Sequence, residues 1–231
     1  SADVVTAVLE EASRFAEEVL SPLNRVGDRE GARFQDGQVT MPKGFKEAYK
    51  LFAESGWTAL GSESEWGGQG LPILVATPVT EMWKSANHAF SLCPLLTGGA
   101  IDALVLTGSD KLKATYLEKM VTGKWTGTMN LTEPGAGSDL AAVCTRAEPQ
   151  ADGSYKLFGQ KIFITYGEHD MAENIIHLVL ARTPTAPEGI KGISLFIVPK
   201  FLVNEDGSLG ARNDAWCASI EHKMGIHASP T

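Results

Sequence analysis

The sequence predicts an α+β fold, helices first and strands second, and three observations carry this. Apolar residues recur at helical spacing up to about residue 122 and alternate afterwards. Proline, glycine and capping residues punctuate the first half where helices start and stop. The second half is built of β-branched and aromatic runs bounded by Gly, Pro and Asp-Gly pairs. The period switches near Lys124, which predicts two domains, residues 1–124 and 125–231.

In order, Val5, Val8, Leu9, Ala12, Phe15, Ala16 and Val19 mark a helix over 4–20, with Pro22 expected to stop it. Residues 24–41 are polar and read as a loop. A second helix starts near Pro42, carries Phe45, Tyr49 and Phe52 inward, and stops at Gly56. After Glu65-Trp66-Gly67-Gly68-Gln69-Gly70-Leu71-Pro72 comes a helix ending near His88, and Thr97–Leu106 suggests another. Ser109 caps the last, with Leu112, Tyr116, Leu117 and Met120 on one face and Gly123 at its end. Strands are expected at Trp125–Thr132 and Ala141–Pro149, followed by an Asp152-Gly153 hairpin turn and extended chain over Tyr155–Thr165. Asn174–Thr183 and Ile193–Pro199 read as further strands, and 202–215 as a long turn or hairpin.

Composition narrows the function classes. The 231 residues carry a net charge of −8, which argues against a general nucleic-acid binder because no basic excess is available to neutralise phosphates. No run of eighteen apolar residues suggests a membrane span, and the N-terminus lacks a basic start and apolar core, so no signal peptide is expected. Cys93, Cys144 and Cys217 have no metal or redox spacing; each is expected as a small core residue of a cytoplasmic protein.

Two stretches carry the chemistry. In Trp125–Asp139, WTGTMNLTEPGAGSD, a strand runs into a loop where Pro134 cannot join a ladder and Gly135 and Gly137 permit unusual backbone angles. Such a loop is either a plain surface turn or a cradle of N–H and hydroxyl groups for a polar or anionic ligand. If a cradle, Gly135 and Gly137 should have positive φ or lie close to another group. The second stretch, Gly159–Gly167, GQKIFITYG, reads by itself as a core strand.

The order Leu131-Thr132-Glu133-Pro134-Gly135-Ala136-Gly137-Ser138-Asp139 closely resembles a signature of the acyl-CoA dehydrogenases. Asn130 and Met129 depart from it, since the family usually has a small residue and often an aromatic at those places. The second stretch resembles the family's Gly-x-Lys-x-aromatic-Ile-Thr segment, with Phe163 where many members have Trp. Gly-Gly-Gln-Gly-Leu at 67–71 and the closing Lys223-Met224-Gly225-Ile226 with Ser229 and Thr231 fall in family order. Within the family, GEHDMAEN and FLVNEDGSLGARND look like the larger bacterial branch.

The resemblance implies an all-α N-terminal domain, a mainly antiparallel β-barrel middle domain and, outside this chain, a C-terminal helical bundle. It implies FAD as cofactor and α,β-desaturation of an acyl-CoA thioester, with removal of the α proton by a base and of the β hydrogen by the flavin. It places Met129, Leu131, Thr132, Ser138, Phe163, Ile164 and Thr165 at the flavin, and Ser138 also at the acyl-CoA. Thr132 matches the pyrimidine side, and Thr165 the donor to the ring edge that steadies the reduced flavin. No catalytic base is expected among these residues, because the family's glutamate comes from the C-terminal domain. Electron-transfer flavoprotein as partner and a homodimer or homotetramer are implied too. A non-dehydrogenase relative of the same fold, such as a DNA-associated flavin-binding protein, is the alternative.

The remaining candidates are weaker. Glu133 is a tempting carboxylate, but the resemblance makes it structural. His88, His169, His177, His222 and His227 show no metal-ligand spacing. Glu168-His169-Asp170 is expected as a solvated turn. No Gly-x-Ser-x-Gly elbow and no Gly-x-Gly-x-x-Gly between strand and helix is present, so neither a serine hydrolase nor a nicotinamide fold is supported.

Overall fold

The computed structural model describes all 231 residues. α1 (Ala2–Phe15) continues through a π-turn at Ala16–Leu20 into α2 (Ser21–Glu30), so Pro22 does not end the helix. The physical reason lies just before the proline. Widening the ladder to i→i+5 makes room for a ring that a tight α-turn would strike. Asn87 stitches the same region, donating Nδ2 to the Leu20 carbonyl at 3.2 Å. Part of the expected loop at 24–41 is thus helix, and the rest holds a small hairpin, β1 (Arg33–Gln35) and β2 (Gln38–Thr40). It turns on Asp36 and Gly37, both left-handed.

Four more helices follow: α3 (Phe45–Glu54), α4 (Ile73–Ala86), α5 (His88–Thr107) and α6 (Asp110–Val121). α5 and α6 are capped by side chains suited to the role. Asn87 Oδ1 accepts from Phe90 N at 3.0 Å, and Ser109 Oγ accepts from Leu112 N at 3.4 Å. α5 is longer than the expected Thr97–Leu106 and carries Pro94 inside it. By length and mean hydropathy (1.7) it could cross a membrane, but here it packs as a core helix against α4, α6 and the first strand of the β region.

That strand is β3 (Trp125–Asn130), the edge of a three-stranded sheet ordered β3-β6-β7, with β6 at Asn174–Ala181 and β7 at Ser194–Pro199. β3 and β6 run parallel, Trp125 opposite Asn174, while β6 and β7 are antiparallel. Two hairpins complete the region: β4 (Arg146–Pro149) with β5 (Tyr155–Phe158), and β8 (Phe201–Val203) with β9 (Leu209–Arg212). Asp152-Gly153 and Asp206-Gly207 make their turns, as the sequence predicts, each glycine at positive φ. Three of the four ladders after Lys124 are antiparallel. The strand expected at Ala141–Pro149 begins only at Arg146, because Leu140–Ala142 is a 3₁₀ turn started by Asp139, whose carboxylate accepts from Ala141 N.

Two apolar clusters sit under this framework. One gathers Phe15, Phe45, Phe52, Trp83 and Phe90 from the helices and takes in Tyr166 and Met171 from the β region. The other joins Ile101, Leu104, Leu117 and Met120 to Trp125, Ile176 and Leu178 of the sheet. α5 serves both. Its close seat on β3 depends on Gly127, where a Cβ would come 2.5 Å from Ala100 Cβ and 2.8 Å from Met120 Cε. Thr97 Oγ1 of α5 accepts from Gly127 N at 3.1 Å, so the strand is hydrogen-bonded to the helix as well as packed on it.

Candidate functional site

β3 delivers Met129 and Asn130 to its C-terminal end, where Leu131–Asp139 loops out. The turn is closed twice, Glu133 N to Ala136 O at 2.9 Å and Ala136 N to Glu133 O at 3.0 Å. Gly135 and Gly137 do not fulfil their expected role. Neither has positive φ; a Cβ on Gly135 would meet nothing within 4 Å, and one on Gly137 only Thr132 Cγ2 at 3.9 Å. Pro134 and the double hydrogen bond make the turn, so the chain itself places no steric demand on either glycine, and both face open space.

Glu133 is the loop's anchor. Its Oε1 accepts from Lys161 Nζ at 2.7 Å, Thr145 Oγ1 at 2.5 Å and Thr145 N at 3.0 Å, and its Oε2 from Cys144 N at 2.7 Å. Burial alone would raise its pKa; the bonds from Lys161, Thr145 and the two backbone N–H groups outweigh that and hold it at about 2. With four donors directed at it, this carboxylate is structural. Gly159 makes room for the arrangement, since a Cβ there would lie 2.4 Å from Thr145 Oγ1.

Lys161 also draws the second stretch alongside the first, donating to Leu131 O at 3.0 Å, while Ile162 N donates to Thr132 O at 2.9 Å. Leu131 and Thr132 are thereby joined to the segment carrying Phe163, Ile164 and Thr165. This segment is not the expected strand. Phe163 and Tyr166 are left-handed, at φ 60° and 54°, which breaks any ladder and costs on the order of 1–3 kcal/mol at each. The break sends two aromatic side chains apart. Tyr166 is fully buried, its hydroxyl donating to Ala89 O at 2.6 Å, whereas Phe163 is 47% exposed. Met129 is 36% exposed; Thr132, Ile164 and Thr165 are half-buried, and Ser138 is exposed.

Glu168-His169-Asp170 is not a solvated turn. Glu168 is buried and paired with Lys200 through Oε1 and with Arg212 at 3.2 Å through Oε2. Asp170 accepts from Met41 N at 3.1 Å. His169 Nδ1 accepts from Met171 N at 3.1 Å, so Nε2 carries the proton and donates to Thr126 Oγ1 at 2.9 Å. His177 Nδ1 lies 2.7 Å from Thr128 Oγ1, which donates to Asn130 Oδ1 at 2.7 Å. Burial, with Lys200 and His177 nearby, lowers the His169 pKa to about 3, and burial with Arg212 and Lys200 lowers that of His177 to about 4. Both are neutral structural imidazoles. The polar sequence concealed this because Lys200, Arg212, Met41 and Thr126 all lie dozens of residues away. No group of three or more His, Cys, Asp or Glu is arranged to hold a metal ion. Only Cys93 of the three cysteines is buried; Cys144 is exposed and Cys217 half-buried.

A cavity of about 290 Å³ opens beside Met129, lined by Leu95, Leu96, Gly99 and Ala100 of α5 with Thr128 and Leu178 of the sheet. Sequence reasoning missed it. The available signal was the Gly98-Gly99 pair in an apolar helix, two positions where a Cβ would meet nothing within 4 Å.

Residues 3–124 match the family model of the acyl-CoA dehydrogenase N-terminal domain, and residues 128–231 that of the acyl-CoA dehydrogenase middle domain. The 3-methylmercaptopropionyl-CoA dehydrogenase of Ruegeria pomeroyi is 57% identical over 229 residues, which are 99% of this chain and 39% of that protein. The chain thus spans about two fifths of that relative. Butyryl-CoA dehydrogenase from Megasphaera elsdenii has a solved structure similar to this one at a TM-score of 0.74 and 26% identity, over 99% of this chain and 54% of that one. A solved structure of PigA with FAD and proline is similar at 0.67 and 28% identity, over 85% and 48%.

Proposed function

Because the chain belongs to the acyl-CoA dehydrogenase family, we propose that it forms the flavin-ring side and part of the acyl-CoA side of an FAD-dependent α,β-dehydrogenation of an acyl-CoA thioester. The observation carrying this is the joining of Leu131-Thr132 to Lys161-Ile162. It gathers residues about thirty positions apart around one exposed surface.

FAD suits the residues present. Phe163 and Met129 offer an exposed aromatic ring and a soft thioether to a flat heterocycle. Thr132, Ser138 and Thr165 are accessible hydroxyls. Leu131 and Ile164 supply packing between these groups. Bound there, FAD would supply a two-electron acceptor. The protein's part is to position and to exclude water. Thr132 and Thr165 orient the ring edge, and Glu133 with Lys161 keeps the two segments in register. The cavity beside Met129 takes the acyl chain, and Ser138 stands between ring and thioester. No residue of this chain is assigned as the α-proton base, since Glu133 and Glu168 are held by cations.

The same reading takes residues 1–124 as a helical domain and 125–231 as a β domain. It places the protein in the cytoplasm as a homodimer or homotetramer that passes electrons to an electron-transfer flavoprotein. The test is spectroscopic. FAD added to the protein should show saturable fluorescence quenching, weakened by Phe163→Ala, and 3-methylmercaptopropionyl-CoA or butyryl-CoA should then perturb the visible flavin bands. Quenching unaffected by Phe163→Ala, or bands indifferent to every acyl-CoA, would refute it.

A further inference from the structure

The loop Ile220–Thr231 places a cation on the candidate flavin surface. Lys223 Nζ lies 3.8 Å from the centre of the Phe163 ring. The other two lysines of this neighbourhood are already neutralised, Lys161 by Glu133 and Lys200 by Glu168. Lys223 has no carboxylate partner, and its ammonium rests on an aromatic face instead.

Neither member of the contact hangs freely. Phe163 is fixed by its left-handed backbone and by the Ile162 N to Thr132 O bond one residue before it. The loop bearing Lys223 is closed on itself by Glu221 N to Thr231 O at 2.7 Å and Ile226 N to Lys223 O at 3.2 Å. It is fastened to its surroundings by Tyr166 N to Pro230 O at 2.7 Å and Ala32 N to His227 O at 2.9 Å. Tyr166 is three residues from Phe163, so the anchor of the loop and the ring it covers share one turn of chain. Phe163 still keeps 47% of its surface exposed with the lysine in place, which leaves room for a second flat partner.

We propose that Lys223 is a positioning residue of the flavin site, whose charge, held on Phe163, favours the electron-rich reduced form of a flavin seated against that ring. This rests on the reading of Phe163 as a flavin contact. Stacked rings lie about 4.5–7 Å apart between centres, so the ammonium would stand within roughly a Debye length of the flavin, where salt does not screen it away. Reduction adds negative charge or electron density to the flavin, and a fixed cation at that range lowers the energy of the reduced state more than that of the oxidised one.

The experiment compares wild type, Lys223→Met, Lys223→Arg and Phe163→Ala. Dissociation constants for oxidised FAD and for dithionite-reduced FAD are measured anaerobically, and folding stability is measured in parallel. In Lys223→Met, reduced FAD should weaken about tenfold more than oxidised FAD, lowering the midpoint potential of the bound flavin, while Lys223→Arg retains the wild-type ratio. Equal weakening of both forms, or none, overturns the proposal even if Phe163→Ala binds poorly. If Phe163→Ala binds both forms as well as wild type does, the flavin reading falls and this inference with it.

Discussion

Glu133→Gln removes one charge and leaves the side chain's size unchanged, so its effect isolates what the carboxylate does. In the folded protein this group has a pKa of about 2, against 4.5 for an unperturbed glutamate. The difference of about 2.5 units corresponds to about 3 kcal/mol of stability at neutral pH. Glutamine resembles the protonated carboxyl in lacking charge, and its amide would also turn a donor towards one of four existing donors. Lys161, only 9% exposed, would lose its counter-charge, which is itself destabilising. Urea unfolding at pH 7 should therefore show the variant less stable by about 3 kcal/mol. Because the folded pKa is depressed, the wild-type advantage is fully present above pH 4.5 and is lost as pH falls towards 2. At pH 3 about 1 kcal/mol of it should remain. Comparing the two proteins at each pH cancels the titration of every other group. A difference under about 1 kcal/mol at pH 7, or one that does not shrink towards pH 3, would refute the account of Glu133 as an ionised anchor.

Three further outcomes follow from the same geometry. The imidazole resonances of His169 and His177 should not titrate between pH 5 and 8, since their pKa values are lowered to about 3 and 4. Protonation then favours the unfolded chain, so the stability they confer is present above pH 6.5 and drains below it; a midpoint near 6.5 by NMR would contradict this. Gly127→Ala should lower stability by about 1–3 kcal/mol in thermal unfolding, because the new Cβ forces β3 from α5; an unchanged melting temperature would show that the strand yields freely. Tyr166→Phe deletes the buried bond to Ala89 O and should cost about 1 kcal/mol; unchanged thermal unfolding would show that this bond contributes nothing.

Much of the fold was legible because its signals are local. Ser109, Gly123, Asp152-Gly153 and Asp206-Gly207 each act within a few residues of themselves, and the sequence carries them openly. What escaped depends on distant partners. Pro22 looks like a stop, and only the π-turn and the packing around Leu20 carry the helix through it. GQKIFITYG looks like a strand until the lateral bonds of Lys161 and Ile162 compel the backbone to reverse at Phe163. Glu168 and His169 look like surface residues until Lys200, Arg212 and Thr126 arrive from other elements. For the candidate site, the resemblance proposes residues but says nothing of their exposure. That Phe163 points outward and Tyr166 inward is set by tertiary packing.

The parallel pairing of β3 with β6 has a consequence for how the chain acquires its structure. Trp125 finds Asn174 across an intervening stretch of nearly fifty residues, and α1 likewise reaches α4 across more than fifty. Closing so long a loop precedes any reward from the contacts it makes, so pairings of this span slow folding. Until β3 meets β6, Ile176 and Leu178 are missing from the cluster they share with Leu117, Met120 and Trp125. During synthesis the helical segment emerges with that apolar face uncovered, and the sheet strand that seals it leaves the ribosome later. The interval between the two is when the nascent protein most needs shielding from its neighbours.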